Sequence, residues 1–343
     1  MDHTKMNHDL QEGAFGGGTG PGDHDTPAPS QEETLPGLEP PEAPTAPPSS
    51  GEPAPRVGGA PAPAEIPAAP WVDPGPPPGP RTARIVALAN QKGGVGKTTT
   101  AINLGAALAE LDRRVLLVDF DPQGGCALGL GIEPGSLDLT VYNALLDRSC
   151  QVEDVVTKTR VPNLDLLPSN VDLAAAELTL VQEVAREQTL MRLLAPLRSD
   201  YDFILVDCPP SLGLLTINGL TAADGLIVPL ECEYYALRGM AQLMDSIERI
   251  RERLNPRLQI DGIVATMLDT RTLHSREVLE RVRDAFGGKV FDTTIRKTIR
   301  FAEAPVVGEP ILTYAPSSTG AFAYRELAKE VLSRVSTRQS AGS

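Results

Sequence analysis

Residues 90–100 read NQKGGVGKTTT, and this stretch lies between an apolar run at 84–90 and a helix predicted over about 97–111. Its glycines let the backbone wrap closely around an anion, so that N–H groups point at phosphate oxygens. The helix that follows adds its positive dipole end to the same place. In such a loop Lys97 contacts the β- and γ-phosphates, and the Thr98 hydroxyl ligates Mg²⁺. The stretch therefore predicts a phosphate-binding loop formed by Gly93, Gly94, Val95, Gly96, Lys97, Thr98 and Thr99.

Short apolar runs alternate with amphipathic stretches from Arg84 onward. Strands are predicted at 84–90, 115–121, 164–168, 203–208, 225–230, 260–268 and 289–295. Helices are predicted at about 97–111, 172–198, 213–222, 237–253, 275–286 and 320–335. Near-continuous apolar strands interleaved with helices are typical of a parallel sheet that is covered on both faces. The predicted fold is therefore α/β, a doubly wound, mostly parallel sheet with helices on both faces.

Acidic residues stand at the ends of two predicted strands. Asp207 closes FILVD, and Asp119 and Asp121 flank Phe120 at the end of VLLVDFD. An α/β sheet places its ligand crevice at the carboxyl ends of its strands. Strand alternation points Asp119 and Asp121 to the same side, so one is expected to face the γ-phosphate while the other supports it. These carboxylates are candidates for the acidic part of a phosphoryl-transfer site.

The phosphate loop departs from the pattern G-x-x-x-x-G-K-[ST], because Gln91 holds the position of the first glycine and Lys92 follows it. With this second lysine, NQKGGVGKTTTAINLG resembles the deviant Walker A loop of the ParA/Soj/MinD superfamily of ATPases. The resemblance covers residues 84–335 and continues through VLLVDFDPQG, DFILVDCPPSLGLLTINGL, VPLECEYYALRGMAQL and FAEAPVVGEPILTYAPSSTGAFAYRELAKEV. Together these segments look like the chromosomal ParA/Soj partition branch.

The resemblance implies a slow ATPase that uses ATP and Mg²⁺. It makes Asp207 the Walker B aspartate, which holds Mg²⁺ through water, and Asp121 the residue that orients or activates the attacking water. Lys92, which has no obvious partner within its own loop, is implied to be both nucleotide-binding and catalytic. In the family this lysine reaches across a nucleotide-sandwiched homodimer to the other subunit's phosphates. ATP binding is expected to create the dimer, and hydrolysis to dissolve it.

Basic residues in the later segments are candidates for a DNA-binding surface. Residues 81–343 carry 33 acidic and 29 basic side chains, so the folded region has no overall positive charge. In the ParA/Soj pattern, positions that match Arg271 and Arg300 bind DNA non-specifically, and Lys297 lies close to Arg300 in the sequence. Presented from both halves of a dimer, they would supply several salt-dependent phosphate contacts. The expected partners are non-specific double-stranded DNA and a ParB-type centromere-binding protein, in chromosome or plasmid partitioning.

The two ends of the chain are expected to lie outside the ATPase domain. Residues 1–80 hold 12 Asp or Glu against two basic residues, and 20 of the 32 prolines. Such a segment has too little apolar surface to fold, which predicts a disordered Pro/Gly/acidic tail over 1–83. The ATPase domain is predicted at 84–335, followed by a short polar tail at 336–343. Without a long apolar run or a signal-peptide pattern, we expect a cytoplasmic, nucleoid-associated protein with no membrane contact.

The sequence is also compared with the requirements of other functions. A MinD-like membrane-cycling ATPase requires a C-terminal amphipathic anchor, whereas this chain ends EVLSRVSTRQSAGS. An iron–sulfur carrier requires a cysteine pair at a dimer interface, and the four cysteines form no C-x-x-C pair. A scaffold that uses nucleotide only as a structural switch is a third alternative. Departures from the ParA/Soj pattern at Gly125, Arg238 and 303–308 also leave open a family member that positions a different cargo.

Overall fold

The computed structural model describes residues 82–233 and 236–341, with side chains as far as residue 337. The acidic tail predicted over 1–83 thus lies outside the described residues, except for its last two positions. The polar tail predicted at 336–343 begins as part of the last helix, which continues to Ala341. Every helix within the described ranges is too short or too polar to cross a membrane.

The strands are β1 (Arg84–Leu88), β2 (Val115–Asp119), β3 (Thr157–Lys158), β4 (Leu164–Leu167), β5 (Phe203–Asp207), β6 (Gly225–Glu231), β7 (Gln259–Leu268) and β8 (Val290–Arg296). Within the part of the chain that the structure describes, they form one eight-stranded sheet in the order β3-β4-β2-β5-β1-β6-β7-β8. Neighbouring strands are parallel, except that the two-residue strand β3 runs antiparallel to β4. The predicted α/β, mostly parallel sheet is confirmed.

The helices are α1 (Lys97–Glu110), α2 (Gly125–Gly129), α3 (Val141–Leu146), α4 (Val152–Val155), α5 (Leu173–Leu180), α6 (Thr189–Leu194), α7 (Leu214–Ala222), α8 (Ala236–Arg253), α9 (Leu273–Phe286), α10 (Arg300–Val307), α11 (Ile311–Tyr314) and α12 (Thr319–Ala341). The helical region predicted at 172–198 is divided, because Ala185 adopts a positive φ of 55° and Pro196 begins a separate 3₁₀ turn. Helices α2, α3, α4, α10 and α11 were not predicted, since segments of eight residues or fewer show no helical periodicity.

Alternation along β1 shows how the strands build one apolar core on each face of the sheet. Ile85 and Ala87 enter the core that contains the apolar side of α8, whereas Val86 and Leu88 enter the core that contains α1 and α12. All four side chains are at most 1% exposed. Since both faces are buried, nearly every position of the strand is apolar.

The parallel arrangement brings the carboxyl ends of the central strands to one edge of the sheet. In the register of the sheet, Asp207 at the end of β5 lies beside Leu88 of β1 on one side and beside Asp119 of β2 on the other. Strand β6 flanks β1 on its remaining side, with Leu88 beside Ile227. The loops that follow β1, β2, β5 and β6 therefore meet at this edge, where the predicted site residues are concentrated.

Candidate functional site

The segment between β1 and α1 forms a tight loop at the carboxyl edge of the sheet. Gly94 and Gly96 have φ angles of +74° and +81°, a left-handed conformation that residues with a side chain rarely adopt. Helix α1 begins at Lys97, directly after the second of these glycines. The first N–H groups of a helix have no intrahelical acceptor, so this loop offers several backbone donors to an anion.

Side-chain hydrogen bonds hold the loop to the neighbouring strands. The Asn90 amide nitrogen donates to the carbonyl of Pro229 in β6 at 2.7 Å, while its oxygen accepts from the backbone N–H of Lys92 at 3.0 Å. The Thr266 hydroxyl of β7 donates to the carbonyl of Val95 at 2.8 Å. The loop is therefore fixed before any nucleotide binds, which lowers the entropy lost on binding.

Lys97 is the buried cation of the site. Its side chain lies inside the loop, where Nζ donates to the carbonyl of Lys92 at 3.3 Å. Burial lowers the pKa of Lys97, although the negative charges of Asp207 and Asp121 act in the opposite direction. Among the described residues, the hydrogen-bond acceptor of this ammonium group is a carbonyl, so an anionic ligand would stabilise the buried charge.

Thr98 and Asp207 form a hydrogen-bonded pair beside the loop. The Thr98 hydroxyl donates to Oδ2 of Asp207 at 2.6 Å. Asp207 is fully buried, and its Oδ1 has no hydrogen-bond partner among the residues that the structure describes. Burial raises the pKa of Asp207 to about 7. A hydroxyl next to an unsatisfied carboxylate oxygen fits Mg²⁺, which prefers hard oxygen ligands.

Asp119 and Asp121 have different surroundings, because β2 ends at Asp119 and Asp121 stands in the turn that follows. Asp119 is fully buried, and its Oδ2 accepts backbone N–H groups of Cys126 at 2.9 Å and Ala127 at 3.3 Å. Burial and the nearby Asp207 raise the pKa of Asp119 well above its ordinary value. Asp121 is half-buried in the following turn. Asp119 therefore fixes the start of α2, and Asp121 is left accessible.

Lys92 points to two carboxylates that the sequence analysis did not connect with it. Its ammonium group contacts Oε2 of Glu231 at 2.9 Å and Oε2 of Glu233 at 2.5 Å. Partial burial lowers the pKa of Lys92, but the hydrogen bonds to Glu233 and Glu231 outweigh this effect and raise it. A signal for this contact was present, since both glutamates stand at or just after the end of an apolar strand, as Asp207 does.

Two of the three predicted DNA-binding residues, Arg271 and Lys297, both act on the carboxylate of Asp269. The third, Arg300, lies on the next helix. Arg271 donates to both carboxylate oxygens of Asp269 at 2.9 Å, and this pairing lowers the pKa of Asp269 to about 2, with a smaller contribution from Lys297. Arg300 begins α10 and contacts Glu303 at 3.0 Å. These basic side chains lie beyond the carboxyl ends of the adjacent strands β7 and β8.

A pocket of about 210 Å³ adjoins the loop on the side of β7 and β8. Gly96 and Thr99 line it from the loop and α1, and Met267, Phe301 and Tyr324 line it with apolar or aromatic side chains, together with Lys297. The Tyr324 hydroxyl is buried against the hydroxyl of Thr100 at 3.2 Å, which keeps this wall fixed relative to α1. An apolar pocket beside a phosphate-binding loop has the shape and polarity that a nucleotide base requires.

These features define a class of protein. A glycine-rich loop joins the first strand of a parallel sheet to a helix, with a buried lysine, a threonine and a strand-end aspartate around it. This combination is that of a P-loop nucleoside triphosphatase.

Comparisons with known proteins identify the family. Residues 83–260 match the family described as AAA domain. The chain is 50% identical over 248 residues to the sporulation initiation inhibitor protein Soj of Bacillus subtilis, covering 72% of this chain and 98% of Soj. It is 49% identical over 258 residues to the chromosome partitioning protein ParA of Caulobacter vibrioides, covering 75% and 96%. The chain belongs to the ParA/Soj-type ATPases of the ParA/MinD superfamily.

A solved structure with a similar fold contains bound nucleotide and magnesium. The Mycobacterium smegmatis protein named cobyrinic acid a,c-diamide synthase, with bound ADP and magnesium, has a TM-score of 0.65 and 44% sequence identity. The match covers 73% of this chain and 94% of that one, and the same protein has been solved with an ATP analogue and magnesium. The predicted family, the ATPase activity and the cofactors ATP and Mg²⁺ are confirmed.

Proposed function

We propose that this protein is a partitioning ATPase that dimerises on Mg·ATP, binds DNA non-specifically in that state, and acts on a chromosome or plasmid with a ParB-type partner at the nucleoid. The observation that carries the proposal is the second lysine, Lys92. Its side chain is about half exposed, while the other lysine of the same loop, Lys97, is buried and has its ammonium group inside the loop. A single nucleotide needs only one of them.

The phosphate loop, which includes Thr98, binds the nucleotide together with Asp207. Backbone N–H groups of residues 93–99 and the Lys97 ammonium group hold the phosphates, because both donors converge at the start of α1. Thr98 and Asp207 hold magnesium, which, when bound, neutralises part of the phosphate charge. The pocket beside Thr99 receives the base.

Asp121 is the residue that positions the attacking water. It is half-buried and close enough to affect the pKa values of both Lys97 and Asp207, and its Oδ1 accepts the backbone N–H of Gln123 at 3.0 Å, whereas Asp119 is fully buried. Hydrolysis of a phosphoanhydride depends mainly on positioning and charge, so one carboxylate that accepts a proton from water is sufficient. We expect Asp121→Ala to retain nucleotide binding and to lose turnover by about a hundredfold or more.

Lys92 completes the partner subunit's phosphate site in the dimer, and Arg271, Lys297 and Arg300 bind the DNA backbone. A lysine at the rim of the loop can reach a nucleotide held by a second copy, which links dimer formation to ATP. Doubling the three basic residues gives six candidate phosphate contacts per dimer. The affinity for DNA is therefore expected to fall steeply with salt. Residues 84–335 form the ATPase domain in this proposal, and 1–83 and 336–343 are tails.

Sedimentation with and without non-specific DNA, in ATP or in ADP, tests the proposal in one experiment. We expect a dimer and DNA binding with ATP, and neither with ADP. Lys92→Ala should abolish the dimer. Arg300→Glu should reduce DNA affinity by about tenfold without affecting dimer formation. The matched control is Arg253→Glu, at the end of α8, on the opposite edge of the sheet from the basic residues. Equal DNA binding in ADP, or equal loss in the control, would refute the proposal.

A further inference from the structure

We propose that Glu231 and Glu233 act as a carboxylate clamp that holds Lys92 in the nucleotide-free protein and sets the ATP concentration at which the dimer forms. The inference rests on the proposed function of Lys92 and adds two positioning residues to it. They act through Lys92, whose ammonium group both of them contact.

The clamp engages only the end of the Lys92 side chain. The ammonium group lies 2.9 Å from Glu231 and 2.5 Å from Glu233, and the side chains of Lys92, Glu231 and Glu233 are 48%, 20% and 58% exposed. The backbone of Lys92 is held separately, since Asn90 accepts its N–H and Lys97 donates to its carbonyl. The side chain can therefore leave the clamp while the loop stays in place.

The two carboxylates of the clamp compete with the partner's phosphates for the Lys92 ammonium group. Two carboxylates around one ammonium group more than neutralise it, so Lys92 in the clamp presents no net positive charge to a second subunit. To contact a partner's triphosphate, Lys92 has to exchange both carboxylates for phosphate oxygens. The two glutamates then lose their shared ammonium group beside a polyanion, which opposes the dimer, although Lys297 offsets part of the charge of Glu233.

The exposure of the groups limits the size of the effect. Ion pairs open to solvent contribute little individually, because water screens them and their side chains lose freedom. Two such pairs that share one lysine, together with the repulsion they leave behind, are expected to shift the ATP requirement of dimerisation by about three- to tenfold. Salt should reduce the shift, since exposed charges are screened.

The test compares Glu231→Gln/Glu233→Gln with Glu248→Gln/Glu326→Gln in the full chain. The control also removes two negative charges, but from exposed ion pairs on α8 and α12. Sedimentation across an ATP series should show the clamp variant forming dimers at about three- to tenfold lower ATP than the wild type and the control. In the Lys92→Ala background, which is expected to form no dimer, the clamp substitutions should not restore one. An unchanged midpoint, an equal shift in the control, or a dimer restored without Lys92 overturns the proposal.

A second measurement needs no nucleotide and separates failure of the clamp from failure of the proposed function. Acylation of lysine amines by an activated ester, followed by peptide mass spectrometry, reports how freely each ammonium group deprotonates and moves. Lys92 should react about three- to tenfold faster in the clamp variant, while Lys329, which pairs with Glu326, should be unchanged. If the wild type forms no dimer but Lys92 responds in this way, the function is wrong and the clamp is real. An unchanged Lys92 rate refutes the clamp.

Discussion

Binding of Mg·ATP should displace a proton from Asp207. Magnesium requires the ionised carboxylate, whereas burial raises the pKa of Asp207 to about 7 in the nucleotide-free protein. The proton is bound in the free state and absent from the complex, so lowering the pH favours the free state. We therefore expect the affinity for Mg·ATP to fall as the pH decreases below 7 and to level off above it.

The size of this effect follows from the pKa. A carboxyl group with a pKa of about 7 is about one-tenth protonated at pH 8 and about nine-tenths protonated at pH 6. Binding that requires the ionised form therefore weakens by about tenfold between these two pH values, or about 1.4 kcal/mol. The same curve predicts a release of about half a proton per site at pH 7.

Isothermal titration calorimetry with a non-hydrolysable ATP analogue and magnesium checks this prediction. Titrations in two buffers of different ionisation enthalpy give the number of protons released at each pH. Asp207→Asn should bind more weakly and release no extra proton, whereas Asp165→Asn, on β4, should behave like the wild type. A pH-independent affinity would refute the reasoning, and a release that persists in Asp207→Asn would assign the proton to Asp119.

Substitutions at three places, Gly308, Asp119 and the Tyr324–Thr100 pair, test the packing of the chain by urea denaturation. Gly308→Ala should lower the free energy of unfolding by about 2–4 kcal/mol, because the φ of Gly308 is +73° and a Cβ would contact the facing backbone of Gly131. The control Gly288→Ala, which has open space around the added Cβ, should change the free energy of unfolding by less than about 0.5 kcal/mol. Asp119→Ala should lower it by about 2–4 kcal/mol by leaving buried N–H groups unpaired, and a neutral result would show that water replaces the carboxylate. Tyr324→Phe should lower the free energy of unfolding by about 1 kcal/mol. Adding Thr100→Val to this variant should restore most of the loss if the two hydroxyls bond each other.

The sequence was sufficient to predict the phosphate loop and the sheet around it, because both depend on local patterns. Gly94 and Gly96 stand where the loop needs positive φ angles, and Lys97 begins the next helix, as the spacing predicts. Apolar runs of five to ten residues identify the central strands, since a strand buried on both faces has almost no polar position.

Contacts between distant segments could not be derived in the same way. Lys92 and Glu231 are 139 positions apart, and their contact follows from the pairing of β1 with β6, which no local pattern records. The different surroundings of Asp119 and Asp121 likewise depend on the residue at which β2 ends. Boundaries of this kind are set by tertiary packing, which single-sequence periodicity does not report.

The direct pairing of Leu88 with Asp207 has a consequence for how the chain reaches its native state. A slip of one residue between β1 and β5 would reverse every side chain of one strand relative to the other, and it would carry Asp207 away from Thr98, which follows β1. Such a misaligned sheet keeps nearly all of its helices and strands but has no complete magnesium site. During refolding, recovery of magnesium binding should therefore lag behind recovery of circular dichroism whenever misregistered molecules accumulate, so that the metal acts as a reporter of correct strand alignment.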